Sequence, residues 1–367
     1  MDKETTQPAR REFDIGILFA TFVLVGIGLV MIFSATSQNE SSLFFLKRQA
    51  IFAALGTTVM VVVSRVPYET WRKLSILFTI ALMGLVILTL IPGIGSNVKG
   101  ASRWLSLGGF SLQPTEFLKV ALVMFLAAFM AKRNQEIRDF KRVIQPILVL
   151  MVAISILVML QPDLGTTAIL WAIAFVMVFL GGANLKHFFV PVVLIVIAGC
   201  IAISFSGYRS SRIDAFLKPW QTEQTSGHQV TRSLMAYGTG GIKGKGLSNG
   251  ELKRKHLPEA HTDFIFPVLA EELGLWGVLG ALSLYGALLW RAFAIGARTK
   301  DPFGSLLAMG LTSVIAIQVV LNIAVTMKLI PPTGLTLPLM SYGGSSLLCT
   351  MGSIGIILNV GHRSEYE

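Results

Sequence analysis

The sequence predicts an all-α integral membrane protein with about ten transmembrane helices. Of its 367 residues, 53% are hydrophobic and only 14% are charged, and the mean hydropathy is +0.68. A soluble domain uses roughly 25% charged residues to cover its surface, so the composition excludes an ordinary soluble fold. Apolar runs of the length that crosses a bilayer, about 20 residues, also recur along the whole chain.

Ten apolar runs are predicted to be membrane spans. They cover 15–35, 46–64, 74–92, 115–131, 143–160, 165–181, 187–206, 270–296, 304–328 and 340–361. No small-residue cleavage site follows the first run, which favours a span over a cleaved signal peptide. The predicted organisation is therefore an N-terminal tail (1–14), one membrane domain (15–361) and a C-terminal tail (362–367), both tails being cytoplasmic.

The distribution of Lys and Arg predicts the orientation. With the N-terminus inside, the cytoplasmic segments carry 16 Lys and Arg and the short outer loops carry 5, as the positive-inside rule requires. An even number of spans then also places the C-terminus inside. The net charge of +11 would favour nucleic acid in a soluble protein, but in a membrane protein it indicates anionic lipids or phosphates. We expect membrane lipids and no nucleic acid as partners.

One long loop, residues 207–263, is predicted on the outer side. It carries aromatic residues and a glycine-rich stretch, 238–246, and is not of low complexity, so we expect it to be ordered and functional. The stretch fails the nucleotide-binding pattern, since Thr239 stands where the first glycine is needed and Gly246 where Ser or Thr is needed. Its backbone N–H groups could still hold a phosphate, or it could be a flexible turn.

Ionisable residues at membrane spans indicate function, because burying them is unfavourable. Glu116 and Lys119 open the fourth span three residues apart, on one helix face where they can pair; a structural ion pair is the alternative. Asp263 is the catalytic candidate, because an acid at the water–membrane boundary can become a usable base; a helix N-cap is the alternative. Glu271 and Glu272 would repel each other when buried, so at least one should pair with a cation.

The outer face is predicted to be cationic, which suits a pyrophosphate. Near the C-terminus, Pro331–Pro338 and 341–346 combine so many Pro, Gly, Ser and Thr residues that we expect a broken segment at membrane depth. The histidines and cysteines show no metal-binding spacing, so no structural metal site and no required cofactor are expected. A divalent cation, Mg²⁺ or Mn²⁺, beside a pyrophosphate is compatible with the sequence.

Several blocks, spread over nearly the whole chain, resemble those of the SEDS family of peptidoglycan glycosyltransferases, the RodA, FtsW and SpoVE type. They are Lys47-Arg48-Gln49, GASRWLSLGGFSLQPTEFLK (100–119), QPDLGT (161–166), 208–247, PEAHTDFIFPVLAEELG (258–274) and PTGLTLPLMSYGGSS (332–346). Thr336 and the His261-Thr262-Asp263 sequence lean towards the division and sporulation branch.

The resemblance implies polymerisation of lipid II on the outer face of the bacterial plasma (inner) membrane, for division, elongation or sporulation. The family's catalytic aspartate falls on Asp263, as general base. The implied residues for the pyrophosphates are Lys47, Arg48, Arg103, Lys119, Arg209 and Lys245, with Glu116 orienting Lys119. Supporting residues are Gln113, His261, Thr262, Glu271, Glu272, Ser341 and Ser345. A separate class B penicillin-binding protein, a transpeptidase, is the implied partner.

Two other functions also fit the sequence. Ten helices and buried charges would also suit a flippase that moves lipid II across the bilayer. A scaffold that only holds the transpeptidase is the other alternative. A flippase should tolerate Asp263→Asn as a partial loss, and a scaffold should be insensitive to changes in the outer cavity.

Overall fold

The computed structural model describes residues 13–37, 42–98, 101–107, 110–184, 228–250 and 260–364, with a few isolated positions between 189 and 221. Within these ranges, nine helices coincide with predicted spans. They are α1 (Ile15–Thr36), α2 (Ser42–Arg65), α3 (Tyr68–Leu88), α4 (Pro114–Lys132), α5 (Gln145–Leu160), α6 (Leu164–Leu180), α8 (Ile265–Arg298), α9 (Pro302–Thr326) and α10 (Gly344–Ser364). Eight spans are long and apolar enough to cross a membrane, where α5 counts together with the π-helical turn Phe140–Ile144 that precedes it, and α6 is a shorter apolar helix. The chain is thus an all-α, multi-pass membrane protein.

The predicted span at 187–206 and most of the loop at 207–263 lie outside the described residues. Of that loop, one helix is described, α7 (His228–Gly240), which packs against α8. The two largest differences are starts that were predicted too late: α3 begins at Tyr68 rather than 74, and α8 at Ile265 rather than 270. In both cases hydropathy detects only the part of a helix that is apolar enough for lipid, whereas the helix itself extends beyond it.

Local sequence signals explain several helix starts. Asp14, Asp163 and Asp301 are N-caps whose side chains accept hydrogen bonds from Ile17 N, Thr166 N and Gly304 N. Pro114 and Pro302 occupy the first turns of α4 and α9, where a missing N–H has no consequence.

A small antiparallel sheet, absent from the sequence prediction, lies between α3 and α4. Its strands are β1 (Gly95–Val98), β2 (Ala101–Leu107) and β3 (Phe110–Leu112), in that order. The register of β1 shifts between Ser96 and Asn97. Because β3 ends two residues before α4 begins, the sheet adjoins the polar start of that helix.

The centre of the bundle is formed by α4, α9 and α10. Between 61 and 78% of their spans is buried in protein, against 22 to 44% for the five other long spans of the described chain. Helix α10 packs mainly on α2 and α9, while α4 packs on α3 and α9. The central helices can therefore carry polar groups away from lipid, which the peripheral helices cannot do over most of their length.

Helix α8 is broken at Gly274, whose φ of 65° and ψ of −161° are not helical. The break leaves backbone groups without helical partners, and the glycine-rich stretch takes them up. Lys245 N and Gly246 N donate to the carbonyls of Glu271 and Glu272 (3.0 and 2.9 Å), and Leu275 N donates to Gly241 O (3.0 Å). These N–H groups are engaged within the protein, so the phosphate-cradle interpretation of 238–246 is wrong for them.

The connecting segment, residues 327–343 between α9 and α10, is non-helical but largely buried. Leu335, Leu337, Leu339 and Met340 are each at most 8% exposed, which confirms the predicted break in helical structure. Irregular backbone at this depth needs polar partners inside the protein. The hydroxyl of Tyr285 donates to Pro338 O and so supplies one of them.

The bundle has two ends, the Asp263 end and the opposite end. At the Asp263 end, α2, α4, α8 and α10 begin, and the connecting segment lies there. At the opposite end, α1, α3 and α9 begin and α8 and α10 finish. The 34 residues of α8 correspond to roughly 50 Å of helix, so the two ends lie on different faces of a membrane.

Candidate active site

Asp263 lies in the turn that leads into α8, and a neighbouring helix fixes its backbone. The N-cap of α8 is Phe264, so the alternative that Asp263 is the N-cap is wrong. The Asn322 amide of α9 donates to Asp263 O (2.9 Å) and to Leu335 O (2.6 Å). The carboxylate itself faces Gly334, where an added Cβ would lie 3.6 Å from Oδ2. Asp263 is partly exposed and is thus accessible while its backbone is held.

The residues just before Asp263 are tied to the connecting segment. The Ser341 hydroxyl donates to Thr262 O (2.6 Å) and accepts from Leu337 N (2.8 Å). Tyr342 N donates to His261 O (2.9 Å). The predicted supporting residues His261, Thr262 and Ser341 are therefore brought together. His261 and Thr262 take part through their backbone carbonyls.

An aromatic cluster joins this turn to α2. The rings of Phe45, His261 and Tyr342 lie 4.8 to 5.5 Å apart, centroid to centroid. Arg48, a predicted pyrophosphate ligand, hydrogen-bonds the Tyr342 hydroxyl. Burial raises the pKa of Tyr342 from its ordinary value, against the lowering effect of Arg48, so Tyr342 is neutral at pH 7. The side chain of Gln49 then bonds Ser341 O and Gly343 N (3.1 and 3.3 Å).

The start of α4 contributes a buried ion pair. Lys119 Nζ lies 2.7 Å from Glu116 Oε1, and the two side chains are 2% and 10% exposed, which confirms the predicted pairing. The thiol of Cys349 on α10 donates to Glu116 O (3.1 Å). One turn earlier, Gln113 N donates to the Ser345 hydroxyl (3.0 Å). The beginnings of α4 and α10 are thus joined by two contacts, one between the predicted supporting residues Gln113 and Ser345 and one from Cys349 to the backbone of Glu116.

Arg103, on β2, pairs with a residue that the sequence analysis did not select. Its guanidinium lies 3.4 Å from Asp163 Oδ2 and donates to Pro162 O (2.7 Å). Asp163 caps α6, and two residues later Gly165 packs on Thr333 of the connecting segment. The sheet is thereby fixed to the same segment that contacts Asp263. Arg103 stays 21% exposed, so it can still meet an anion.

Glu271 and Glu272 are both buried and have different partners. Lys245 lies 3.7 Å from Glu271, which confirms that one of the two acids pairs with a cation. Glu272 accepts hydrogen bonds from the Ser34 hydroxyl (2.6 and 2.7 Å) and from Ser248 N (3.2 Å). Lys245 thus lies beside the break in α8, and its predicted contact with pyrophosphate stays a prediction.

Three further expectations concern residues with less structural detail. Lys47 is exposed on α2, one residue before Arg48. Arg209 and Cys200 lie outside the described residues. No three His, Cys, Asp or Glu side chains in the described part of the chain lie together in a way that could hold a metal ion, and the Mg²⁺ or Mn²⁺ beside a pyrophosphate stays a prediction.

Comparison with known proteins identifies the family. A profile of the FtsW/RodA/SpoVE family, described as a cell cycle protein, matches residues 16–366. The chain belongs to the FtsW/RodA/SpoVE family.

Relatives within the FtsW/RodA/SpoVE family match over nearly their whole length. Stage V sporulation protein E of Bacillus subtilis (strain 168) is 41% identical, over 96% of this chain and 98% of its own. A probable peptidoglycan glycosyltransferase FtsW of Geobacter metallireducens is 38% identical over 96% of both chains. A chain from a structure described as coordination of polymerization and crosslinking by a peptidoglycan synthase complex is 30% identical, with a TM-score of 0.81 over 97% of this chain and 99% of that one.

The structure adds site residues that the sequence analysis of this FtsW/RodA/SpoVE member missed. Asn322 holds Asp263 in place, Asp163 holds Arg103, and Gln49 and Tyr342 join α2 to the connecting segment. A polar amide inside an apolar run was a signal that could have selected Asn322. Asp163 and Gln49 stand in blocks quoted for the resemblance, but nothing local to them indicates the partner.

Proposed function

We propose that this chain is a peptidoglycan glycosyltransferase that polymerises lipid II, with Asp263 as general base. The observation that carries the proposal is the placement of Asp263, a partly exposed carboxylate whose backbone is held by Asn322 and whose side chain faces the connecting segment. A base must be fixed yet accessible to the proton it takes. Family relatives that are named as peptidoglycan glycosyltransferases support the reaction class.

The reaction joins two lipid-linked sugars. The acceptor's hydroxyl oxygen forms a bond to the anomeric carbon of the donor while Asp263 takes the hydroxyl proton. The bond from that carbon to the pyrophosphate oxygen breaks, and lipid pyrophosphate leaves with the electron pair. Asp263 assists formation of the nucleophile, and the departure of the pyrophosphate is assisted by other residues.

Two cations border the Asp263 end and are proposed to meet the pyrophosphate. Arg48 is partly exposed beside Tyr342, and Arg103 is partly exposed on the sheet. Arg binds phosphate oxygens by charge-assisted, often bidentate hydrogen bonds. Lys119 is almost fully buried against Glu116, so we assign it first to holding the start of α4, and its contact with phosphate stays a prediction.

The buried polar atoms near Asp263 favour a polar substrate. Asn322 Oδ1 and Thr333 Oγ1 are buried and lack a hydrogen-bond partner within the described part of the chain. Both residues flank Gly334, which lies against the Asp263 carboxylate. Unsatisfied buried acceptors and donors are rare in proteins, and a sugar hydroxyl would satisfy them.

The partner and the membrane are further proposals. The FtsW/RodA/SpoVE relative in the peptidoglycan synthase complex supports a separate class B penicillin-binding protein as the crosslinking partner. The positive-inside distribution supports a position of the Asp263 end on the outer face of the bacterial plasma membrane, where both substrate and transpeptidase would be reached. We assign the chain to the division and sporulation branch.

Purified lipid II polymerisation tests the proposal. Wild type and Asp263→Asn, each with the class B partner, are reconstituted, and glycan length is read on a gel. We expect long glycans from wild type and none from the variant, with lipid II binding retained, because Asn keeps the shape but accepts no proton at neutral pH. Asp301→Asn is the matched control, since it makes the same change at a helix N-cap of the opposite end, where Asn also caps.

Other results of the polymerisation assay would contradict the proposed role of Asp263 or of the chain. Equal glycan from Asp263→Asn and wild type would remove Asp263 as the base. No glycan from wild type, under conditions where a family member is active, would favour the flippase or scaffold alternatives. Loss of lipid II binding in Asp263→Asn would make Asp263 a binding residue.

A further inference from the structure

A groove of about 300 Å³ lies at the opposite end of the bundle, remote from Asp263. It is formed where α1 begins and where α8 and α10 finish, and it is lined by Phe13, Asp14, Arg291, Arg298 and His362 together with apolar residues. Nothing in the proposed function uses it. The orientation proposed above, with the Asp263 end outside, turns this groove towards the cytoplasmic leaflet, and the inference rests on that orientation.

The groove has a cationic wall. Arg291 and Arg298 both line it and are seven residues apart on α8, which places them on nearly the same helix face and roughly 10 Å apart along the axis. Arg291 is paired with Asp14, Nε to Oδ1 at 2.8 Å. Arg298 makes no ion pair with any described residue. Among the described lining residues, two guanidinium charges against one carboxylate leave an excess of one positive charge.

The remaining walls are apolar and small. Ala294 and Ile295 lie between the two arginines on α8, and Leu358 and Gly361 lie on α10. Glycine at 361 leaves room for Ile295, because an added Cβ would lie 3.0 Å from its Cδ1. The groove therefore combines a charged mouth with an apolar floor, as a lipid headgroup with its attached chains requires.

The depth of the groove in the membrane is indicated by Trp290. It also lines the groove and is 78% exposed, and Phe293 beside it is 42% exposed. Exposed aromatic side chains of a membrane helix near its end belong to the belt at the level of the lipid headgroups. Basic pockets between helices on the cytoplasmic side are suited to anionic headgroups.

We propose that this groove is a binding site for an anionic phospholipid of the cytoplasmic leaflet, with Arg298 as the main ligand of the phosphodiester and Arg291 as the second. The excess charge of one matches a singly charged phosphodiester. Arg donates several hydrogen bonds to phosphate oxygens, and the apolar floor would hold the start of an acyl chain. The site is independent of the proposed glycosyltransferase activity.

Lipid binding to the full-length protein tests the site. The purified chain in neutral detergent is titrated with dioctanoyl phosphatidylglycerol or dioctanoyl phosphatidylcholine, and bound lipid is counted by native mass spectrometry. We expect preference for phosphatidylglycerol in wild type and roughly tenfold weaker binding in Arg298→Gln, since one charge-assisted contact is of that order. Arg138→Gln is the matched control, because Arg138 is an exposed arginine between α4 and α5 at the same end of the bundle and does not line the groove; it should bind as wild type does.

A second variant separates a defined groove from general surface charge. Ala294→Leu leaves every charge in place but fills the groove, and we expect it to weaken phosphatidylglycerol binding about as much as Arg298→Gln. Equal binding of the two lipids by wild type would overturn the proposal, as would equal losses in Arg298→Gln and Arg138→Gln or unchanged binding by Ala294→Leu. Competition by millimolar inorganic phosphate as strong as that by the lipid would show a free-phosphate site and would also overturn it.

Discussion

The two ends of the bundle hold their charges in different ways. At the Asp263 end each ion pair has a buried carboxylate: the Glu116–Lys119 side chains are 10% and 2% exposed, and Glu271 is 1% exposed opposite Lys245, which is 25% exposed. At the opposite end they are open: Arg142 and Glu136 are 62% and 42% exposed, and Arg363 and Glu69 are 42% and 45% exposed. The sequence contains similar charge pairs at both ends, but their surroundings differ.

This difference indicates what each end is for. An exposed pair contributes little to stability, about 0–1 kcal/mol, because water and salt screen it. A buried pair fixes geometry, and removal of one member leaves an unpaired charge that destabilises strongly. The Asp263 end therefore holds defined positions, as chemistry requires, whereas the opposite end can present exposed cations to lipid headgroups.

The largest effect on stability is expected at the buried pair of α4. Lys119→Met leaves Glu116 buried without its cation and should lower the free energy of unfolding by about 3–5 kcal/mol. Unfolding of the purified protein by titration with sodium dodecyl sulfate would measure it. Arg142→Gln breaks an exposed pair at the opposite end and should change the free energy by less than about 1 kcal/mol.

A further variant identifies the cause. In the double variant Glu116→Gln/Lys119→Met, no charge is left buried, so much of the lost stability should return. Equal effects of Lys119→Met and Arg142→Gln would show that burial does not distinguish the two ends.

The next effect in size concerns two glycines of α8. Gly274 has a φ of 65°, and a Cβ there would overlap the backbone of the glycine-rich turn at Gly244. Gly274→Ala should therefore destabilise by about 2–3 kcal/mol or more. Gly280, six residues further along the same helix, has nothing within 4 Å of its Cβ position, so Gly280→Ala should stabilise by about 0.5–1 kcal/mol.

Thermal unfolding of both variants in one detergent would measure the contrast. The sign is the decisive observation, since the same substitution is expected to act oppositely in the two halves of one helix. Stabilisation by Gly274→Ala would show that the break in α8 is not held by the turn at 241–246.

Hydropathy predicted most of the fold, because bilayer thickness sets the length of an apolar helix independently of tertiary contacts. It did not predict the sheet, whose strands of 3 to 7 residues are too short for a periodic signal. Nor did it predict the break in α8. Gly274 is one of several glycines in that helix, alongside Gly277 and Gly280, and only the contact with the turn at 241–246 distinguishes it.

The contacts of the site also divide into those that the sequence predicts and those that it does not. The Glu116–Lys119 pair was predictable because both residues are on one helix turn. The bond between Asn322 and Asp263 O spans 59 residues, and the pairing of Arg103 with Asp163 joins a strand to a helix. Such contacts depend on how the elements pack, which one sequence does not reveal.

The smallest effect on stability, with a larger one on activity, is expected at Asn322. Asn322→Leu keeps the size of the side chain but leaves the carbonyls of Asp263 and Leu335 without their donor. Each unsatisfied buried group is unfavourable by about 1–3 kcal/mol. Since the turn can relax, we expect the free energy of unfolding to fall by only about 1 kcal/mol in total. Relaxation of the turn moves Asp263, so polymerisation should fall roughly tenfold while lipid II binding is kept.

Gln318 provides the matched control, because it is a buried amide one turn away on the same helix. Its Nε2 has no hydrogen-bond partner within the described part of the chain, so Gln318→Leu removes an unsatisfied group and should leave stability and polymerisation unchanged or improved. The comparison is made with kcat and KM measured separately at fixed partner concentration. A fall in kcat with unchanged KM in Asn322→Leu, absent from Gln318→Leu, identifies Asn322 as a residue that positions Asp263. Equal losses in both variants would instead mean that the whole face of α9 tolerates no change, and that the hydrogen bond to Asp263 O has no particular role in the reaction.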